Sequence, residues 1–161
     1  MEKNRTTLAD AFLSDHKVMT QGFHRILKAL ERNDLKGAVE LARRLDRVAG
    51  PHIEFEEEIL YPQIRRNRGR DYVSRLYREH QVALQGIQTL LQSPAGTALD
   101  PHEKEQLVGK IRTALDHAVS CGTLLSHLTT LDETRQEQIL NRLRDLRSQG
   151  HRWTELWKSK E

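Results

Sequence analysis

Apolar residues recur every three or four positions along most of this chain, which is the spacing of one face of an α-helix. The pattern predicts a first helix over about residues 7–32. Its apolar stripe consists of Leu8, Phe12, Val18, Met19, Phe23, Ile26, Leu27 and Leu30. Asn33 and Asp34 have the composition of a turn, and a second helix is predicted over about 35–67, ending near Gly69.

Two more long helices are predicted over about 71–92 and 101–129. The fourth helix has a clear start, because Asp100 is a capping residue, Pro101 suits the first helical position and Glu103 makes the first turn acidic. Asp132 is a further capping residue, and it predicts a shorter terminal helix over about 132–157.

Four long helices with short connections predict an all-α fold, an up-down-up-down four-helix bundle with a short additional C-terminal helix. We expect the bundle to cover about residues 7–130, within a single domain that spans residues 1–161. Gly50 and Pro51 interrupt the second helix. Because proline lacks a backbone N–H, we expect a kink or a short wide turn there, or else two helices with a tight joint.

Composition narrows the function classes. The chain has 26 Lys and Arg against 23 Asp and Glu, a net charge of +3, so both signs are interspersed and no nucleic-acid stripe is expected. The densest basic run follows a predicted helix and is interpreted as cations at its C-terminus: Arg65, Arg66, Arg68 and Arg70.

Localisation is predicted to be cytoplasmic. Cys121 is the single cysteine, which excludes an internal disulfide and suits a reducing compartment. No apolar run is long enough to cross a bilayer, and residues 1–4 lack the apolar core of a signal peptide, so no membrane partner is expected.

Each of the four long predicted helices carries one histidine near its middle, among apolar residues: His16, His52, His80 and His117. Positions at the middle of antiparallel helices lie at a similar depth, so the four imidazoles are expected to converge. A lone histidine on an apolar stripe is more often a satisfied core residue. Four at matching depth indicate a metal site instead.

A carboxylate accompanies one of these histidines. His52 and Glu56 lie one turn apart on the same helix face, so an imidazole nitrogen and a carboxylate oxygen can reach one ion. Phe55, Ile59 and Leu60 share that side of the helix. The pair is therefore expected near the core, where an unpaired charge is costly.

These segments resemble the hemerythrin-like, HHE cation-binding domain. The resemblance spans about residues 8–146 and is carried, in order, by Asp15-His16, His52-Ile53-Glu54-Phe55-Glu56-Glu57 with Leu60-Tyr61-Pro62, Glu79-His80 and His117. It implies a four-helix bundle that binds a non-haem, usually di-iron, centre through histidines and bridging carboxylates. Such proteins carry or sense dioxygen, nitric oxide or peroxide, or handle iron.

The chain departs from the family pattern in the fourth helix. The family usually repeats His-x-x-x-Glu there, and Cys121 stands where the second bridging glutamate is expected. Likewise, Leu124-Leu125-Ser126-His127 replaces the usual apolar-Pro ending. Cys121 is interpreted as a thiolate ligand, as a redox-active thiol or as a small packing residue.

The predicted metal ligands are His16, His52, Glu56, His80, His117 and Cys121. The expected cofactor is iron, as two ions or only one, with zinc or manganese as alternatives. A degenerate site without metal is also consistent with the loss of one carboxylate.

Several further residues have weaker claims. Glu57 is either a hydrogen-bond partner near the metal or a substitute ligand, although most acids in such a run face solvent. Tyr61 either hydrogen-bonds a metal-bound species or packs, and packing is favoured. Asp15 and Glu79 are expected on the helix surface unless they support a neighbouring histidine. The remaining histidines are expected to be structural or solvated: His24, His102, His127 and His151.

Three functions remain. A carrier or sensor of dioxygen, nitric oxide or peroxide is favoured. A peroxidase-like enzyme needs a proton source in addition, and whether the protein is an enzyme stays open. The third is iron handling, repair of metal centres, or purely structural use of the metal.

We expect a monomer or homodimer, with Trp153 and Trp157 packing on the same domain rather than forming a dimer patch.

Overall fold

The computed structural model describes residues 5–94 and 98–158, and it is helical throughout these ranges apart from turns. The all-α prediction is confirmed. In chain order the elements are α1 (Leu8–Glu31), α2 (Leu35–Phe55), a π-helical turn (Glu56–Leu60), α3 (Tyr61–Arg68), α4 (Arg70–Leu91), α5 (Pro101–Cys121), a 3₁₀ turn (Gly122–Leu125), α6 (Ser126–Thr129), α7 (Glu133–Gln149) and α8 (Trp153–Lys158).

Side-chain caps explain where α1 and α5 begin. Thr7 accepts a hydrogen bond from the backbone N–H of Asp10, whose carboxylate bonds back to the Thr7 N–H. Asp100 and Glu103 form the same reciprocal arrangement at the start of α5, with Pro101 at the first helical position. Such boxes satisfy N–H groups that the first helical turn leaves without partners. The predicted start of the fourth helix is therefore confirmed.

Four rods form the bundle. α1 packs against α2 and α5, and α4 packs against α5 and α2, which closes a ring around one core. The π-helical turn joins α2 to α3 without a break, so these three elements make one long rod. α7 packs on α2 and α1 outside the ring, and α8 packs on α2 and α4.

The wide turn lies further along the chain than Gly50 and Pro51. α2 continues as an α-helix through both residues, which are buried, and the π-helical turn follows at Glu56–Leu60. Packing on both sides of α2 outweighs the one hydrogen bond that Pro51 removes. The expected interruption at Gly50 and Pro51 is therefore wrong, while a wide turn does occur beside His52 and Glu56.

Two other predicted helices are divided. The fourth was expected to run to 129, but α5 ends at Cys121 and the chain tightens into the 3₁₀ turn before α6. The terminal helix over 132–157 is split at Gly150, which ends α7 in a left-handed conformation with φ 63°. Glycine adopts this conformation without steric cost, which explains the break.

The C-terminal helix folds back onto the bundle. Trp153 is buried and packs edge-on against Phe23, with ring centroids 6.2 Å apart. Asp46 accepts hydrogen bonds from the backbone N–H and the hydroxyl of Thr154. A Cβ atom at Gly50 would overlap the carbonyl oxygen of His151, so glycine is needed for this close approach. The side chain of Trp157 lies outside the described residues.

The core consists of two groups of buried side chains. The apolar cluster includes Met19, Phe23, Ile26, Ile53, Ile87, Leu90, Ile111 and Trp153. The site cluster includes Leu8, Phe12, Phe55, Leu60, Tyr61, Ile64, Leu76, Cys121 and Leu143. Along each rod, the histidine lies between residues of the two clusters. In the part of the chain that the structure describes, no helix has both the length and the apolar character needed to cross a membrane.

Candidate metal centre

The four mid-helix histidines meet inside the bundle. His16, His52, His80 and His117 come from α1, α2, α4 and α5, and none is more than 6% exposed. The rings of His16 and His52 lie 4.5 Å apart between centroids, and those of His80 and His117 lie 4.7 Å apart. The imidazoles thus form two pairs, one contributed by α1 and α2 and the other by α4 and α5.

Glu56 lies between the two pairs and is 1% exposed. Its Oε1 atom is 3.2 Å from Nε2 of His52 and 3.8 Å from Nε2 of His80. Its Oε2 atom accepts a hydrogen bond from the thiol of Cys121, whose Sγ atom is 2.7 Å away. The carboxylate therefore faces groups from α2, α4 and α5 at once.

Two sets of three side chains have donor atoms close enough to hold a metal ion. One set is His16, Glu56 and Cys121, and the other is Glu56, His80 and His117, with donor atoms within 4.8 Å of one another in each set. Glu56 belongs to both sets. A carboxylate has two oxygens, so one such residue can bind two neighbouring ions.

Two histidines receive carboxylate partners from other helices at their outer nitrogens. Nδ1 of His52 lies 3.0 Å from Oδ2 of Asp15 on α1, and Nδ1 of His117 lies 2.5 Å from Oε2 of Glu79 on α4. Asp15 also accepts a hydrogen bond from Arg147. The two acids are therefore not plain surface residues, because each supports the histidine of the next rod.

The other two histidines are held in the same manner. Nδ1 of His80 lies 3.1 Å from Oε1 of Glu57, and Nδ1 of His16 lies 3.1 Å from the carbonyl oxygen of Phe12. Glu57 thus contacts an imidazole rather than facing solvent alone. In a neutral imidazole, an acceptor at Nδ1 holds the proton on that nitrogen and leaves the lone pair on Nε2, which points toward the interior.

Nε2 of His52 has no hydrogen-bond partner among the described residues. It lies near Glu56, but the angle between them is not that of a hydrogen bond. A buried polar atom without a partner is costly, because it has lost its hydrogen bonds to water. A cation beside Glu56 would satisfy this nitrogen, so the donor set fits a metal ion.

Tyr61 also reaches the centre. Its hydroxyl lies 2.7 Å from Nε2 of His80 and 3.2 Å from Nε2 of His117. The favoured packing role is therefore incomplete, since the ring is buried but the hydroxyl contacts two candidate ligands. The sequence left open that this hydroxyl reaches the metal centre, and its contact with the two histidines depends on the π-helical turn, in which the Tyr61 N–H bonds to the Glu56 carbonyl five residues earlier.

Charges inside the centre are unevenly distributed. Burial alone lowers the pKa of His52, but the charge of Glu56 and the hydrogen bond to Asp15 outweigh it and raise this pKa to about 9. Burial opposes ionisation of Glu56, yet the charge of His52 holds the pKa of Glu56 well below its usual range. Without a metal, the two groups form an ion pair in the core.

Burial disfavours the charged forms of His16, His117, Cys121 and Tyr61 without a metal. Burial, followed by the charge on His52, lowers the pKa of His16 to about 4. Burial and the nearby His80 also lower the pKa of His117. Burial and the charge of Glu56 raise the pKa of both Cys121 and Tyr61. A bound cation opposes these effects, because it favours the lone pair or the anion of each donor.

The other histidines lie apart from the centre, as expected. His24, His102 and His151 are exposed, and half-buried His127 hydrogen-bonds Asn67. His151 lies 3.4 Å from Glu54 at the surface. None of the four belongs to a group of donors close enough to hold a metal within the described ranges.

Known proteins were compared with the chain. The family model described as the hemerythrin HHE cation binding domain matches residues 7–120. This stretch contains all four core histidines and Glu56, and it ends one residue before Cys121. Comparisons with curated proteins and with solved structures found no match.

Proposed function

This chain belongs to the hemerythrin HHE cation-binding domain family, and we propose that it binds non-haem iron in the bundle core. The observation that carries the proposal is the shared position of Glu56, which faces both sets of candidate ligands. The nitrogen of His52 that lacks a hydrogen bond beside Glu56 supports it, because a cation removes its cost.

We assign His16, His52 and Cys121 to one ion and His80 and His117 to the other. Glu56 would hold both ions, because it belongs to both sets of donors. Imidazole and carboxylate donors suit iron, and a thiolate extends the choice to softer ions such as zinc. A centre with a single bridging carboxylate and a sulfur donor follows from the presence of Cys121 opposite Glu56.

When bound, iron supplies redox chemistry and a position at which dioxygen, nitric oxide or peroxide can bind. The chain's own residues orient the donors and exclude water. Asp15, Glu57 and Glu79 hold the outer nitrogens, so the imidazoles present the correct tautomer. Phe12 packs on the rings of His16 and His52, with centroids 4.3 and 5.2 Å away, and shields that side from solvent.

We propose a carrier or sensor of these small ligands rather than an enzyme. Tyr61 and Cys121 carry protons beside the donors, and each directs its proton to a candidate ligand, so neither is positioned as a separate proton donor. The cytoplasm, a reducing compartment, matches the single free thiol.

Metal analysis tests the binding proposal. Protein produced with ample iron is expected to contain two iron ions per chain by elemental analysis. His52→Leu and His117→Leu should lose most of this iron, whereas His24→Leu, which changes an exposed histidine, should keep it. Equal iron in all three variants, or none in the unaltered protein, would overturn the assignment.

Absorption spectroscopy tests the ligand class. The ferrous protein is expected to change its visible spectrum on exposure to air, nitric oxide or peroxide, and to return when the ligand is removed. Sustained breakdown of peroxide, well above that of free iron, would favour the peroxidase-like alternative. A colourless zinc protein would leave a structural role for the metal.

A further inference from the structure

Tyr61 is aimed at the same two nitrogens that we assign to one metal ion. The side chain is fully buried, and its hydroxyl oxygen lies 2.7 Å from Nε2 of His80 and 3.2 Å from Nε2 of His117. The phenol oxygen, two imidazole nitrogens and Glu56 therefore surround one small volume in the core.

Glu57 and Glu79 hold the outer nitrogens of His80 and His117, so the two inner nitrogens meet at the Tyr61 hydroxyl. His80 and His117 present their Nδ1 protons to Glu57 and Glu79, so both Nε2 atoms carry lone pairs. A phenol has one proton and can donate it to only one of them. The oxygen therefore cannot hydrogen-bond both nitrogens by donation, whereas a cation among the three atoms would attract all of them.

The backbone holds Tyr61 at this position. Five residues after Glu56, a regular α-helix would point a side chain about 140° away from it. In the π-helical turn the Tyr61 N–H bonds to the Glu56 carbonyl, so the two residues lie one wide turn apart on the same side. Pro62 follows directly and has no N–H to donate to a regular helical ladder.

The phenol ring has little freedom to leave. Tyr77 packs edge-on against it, with ring centroids 5.0 Å apart, and the His80 ring lies 5.1 Å away on another side. Tyr77 directs its own hydroxyl to the carbonyl oxygen of Glu57 and not to a histidine. A ligand held this firmly loses little conformational freedom when an ion binds.

We propose that Tyr61 is an oxygen ligand of the ion held by His80 and His117. The inference rests on the proposed function, and it makes the two ions unlike, with sulfur from Cys121 at one and a phenolate oxygen at the other. As the oxygen–metal bond forms, the O–H bond breaks and its proton leaves to solvent. A phenolate is a hard, anionic donor, so it favours the ferric form of this iron.

Visible spectroscopy of the ferric protein tests the proposal. A phenolate bound to ferric iron absorbs visible light by charge transfer from the ring to the metal. The ferric protein is expected to show this band, Tyr61→Phe to lose it, and Tyr77→Phe to keep it. Tyr77→Phe is the matched control, because it removes a hydroxyl from the neighbouring ring without touching His80 or His117.

A second measurement does not depend on the folding of a variant. Resonance Raman spectra excited in the visible band should show phenolate ring vibrations, and these should shift when the protein is produced with ring-deuterated tyrosine. Bound iron with neither these vibrations nor a loss in Tyr61→Phe would show that Tyr61 only hydrogen-bonds the histidines, and would overturn this inference alone. Absence of iron from the unaltered protein would overturn the proposed function as well.

Discussion

The apolar cluster and the site cluster belong to the same four rods, yet they are built differently. Around Phe23, Ile87 and Ile111 the helices are regular and the buried side chains are mostly apolar, with buried Asp46 paired to Thr154 nearby. Where the rods leave the metal centre, two of them become irregular, as the π-helical turn begins at Glu56 and the 3₁₀ turn follows Cys121.

The apolar cluster mainly stabilises the fold, whereas the centre is built to bind a metal ion. Close packing makes the apolar cluster stable by itself, because burial of hydrocarbon needs no partner beyond its neighbours. The centre places charged and polar groups inside the same bundle, where their cost depends on pairing with one another or with a cation. Changes in the two regions should therefore respond differently to metal and to pH.

The largest effect is expected in the apolar cluster. Phe23→Ala removes a fully buried ring that packs against Trp153, and we expect it to lower the free energy of unfolding by about 3–5 kcal/mol. Urea denaturation should give the same loss with iron and with a chelator. Leu13→Ala, at a side chain 49% exposed, is the control and should change stability by less than about 0.5 kcal/mol. If Phe23→Ala lost a different amount of unfolding free energy with iron than with a chelator, the two regions would not be independent.

The next effect concerns the carboxylates behind the histidines. Glu79→Ala removes the acceptor at Nδ1 of His117 and is expected to weaken iron binding about 10–100-fold, measured by competition with a chelator. Asp116→Ala is the matched control, because Asp116 also precedes a core histidine but is exposed. Similar affinities for the two variants would show that the contact does not matter for metal binding.

The metal-free protein should lose stability at alkaline pH. The pKa of His52 is about 9 in the folded chain and near 6.5 in an unfolded one, so its contribution is complete below 6.5 and is lost as pH rises through 9. His16 acts in the opposite direction, because its folded pKa of about 4 removes stability as pH falls below 6.5. Chelator-treated protein is therefore expected to be most stable near pH 6.5.

Urea denaturation across pH 5–9.5 in the presence of a chelator measures this profile. His52→Gln should remove most of the fall in the free energy of unfolding at alkaline pH. Phe23→Ala should lower this free energy equally at every pH and leave its pH dependence unchanged. If the free energy of unfolding of His52→Gln still falls as pH rises toward 9, a group other than His52 is responsible for the loss.

The smallest effect is expected at the surface of the centre. Arg142 on α7 donates two hydrogen bonds of 2.8 Å to Glu58 in the π-helical turn. Both side chains are about two-fifths exposed, so Glu58→Ala should cost less than about 1 kcal/mol and leave iron content unchanged. Lost iron in this variant would show that the pair maintains the turn that positions Tyr61.

Much of the fold is readable from spacing. The starts of α1, α2 and α5 follow from apolar periodicity and capping residues, and the start of α4 follows from apolar periodicity after Gly69. Both signals are local properties of the chain. Convergence of the four histidines was predictable too, since antiparallel rods bring their midpoints together. The match to the hemerythrin HHE family confirms the family resemblance, whereas the assignment of the metal ligands stays a prediction.

The contacts between carboxylates and the core histidines were only partly predictable from the sequence. Asp15, Glu79 and Asp116 each precede a core histidine, and the chain order does not say which carboxylate meets which imidazole. Packing decides this, because Asp15 and Glu79 point about 100° away from their own neighbours and so face the next rod. Asp116 points to solvent instead.

By its own periodicity and residue order, the sequence determined the helical rods, the caps of α1 and α5 and the shared depth of the four histidines. Tertiary structure alone decided the position of Tyr61. Nine residues at about 100° each would place it opposite His52 on a regular helix, and only the π-helical turn returns it to the same side. Such a turn lacks the hydrogen-bond geometry of an α-helix, so it persists where packing from other helices supports it, which no local pattern records.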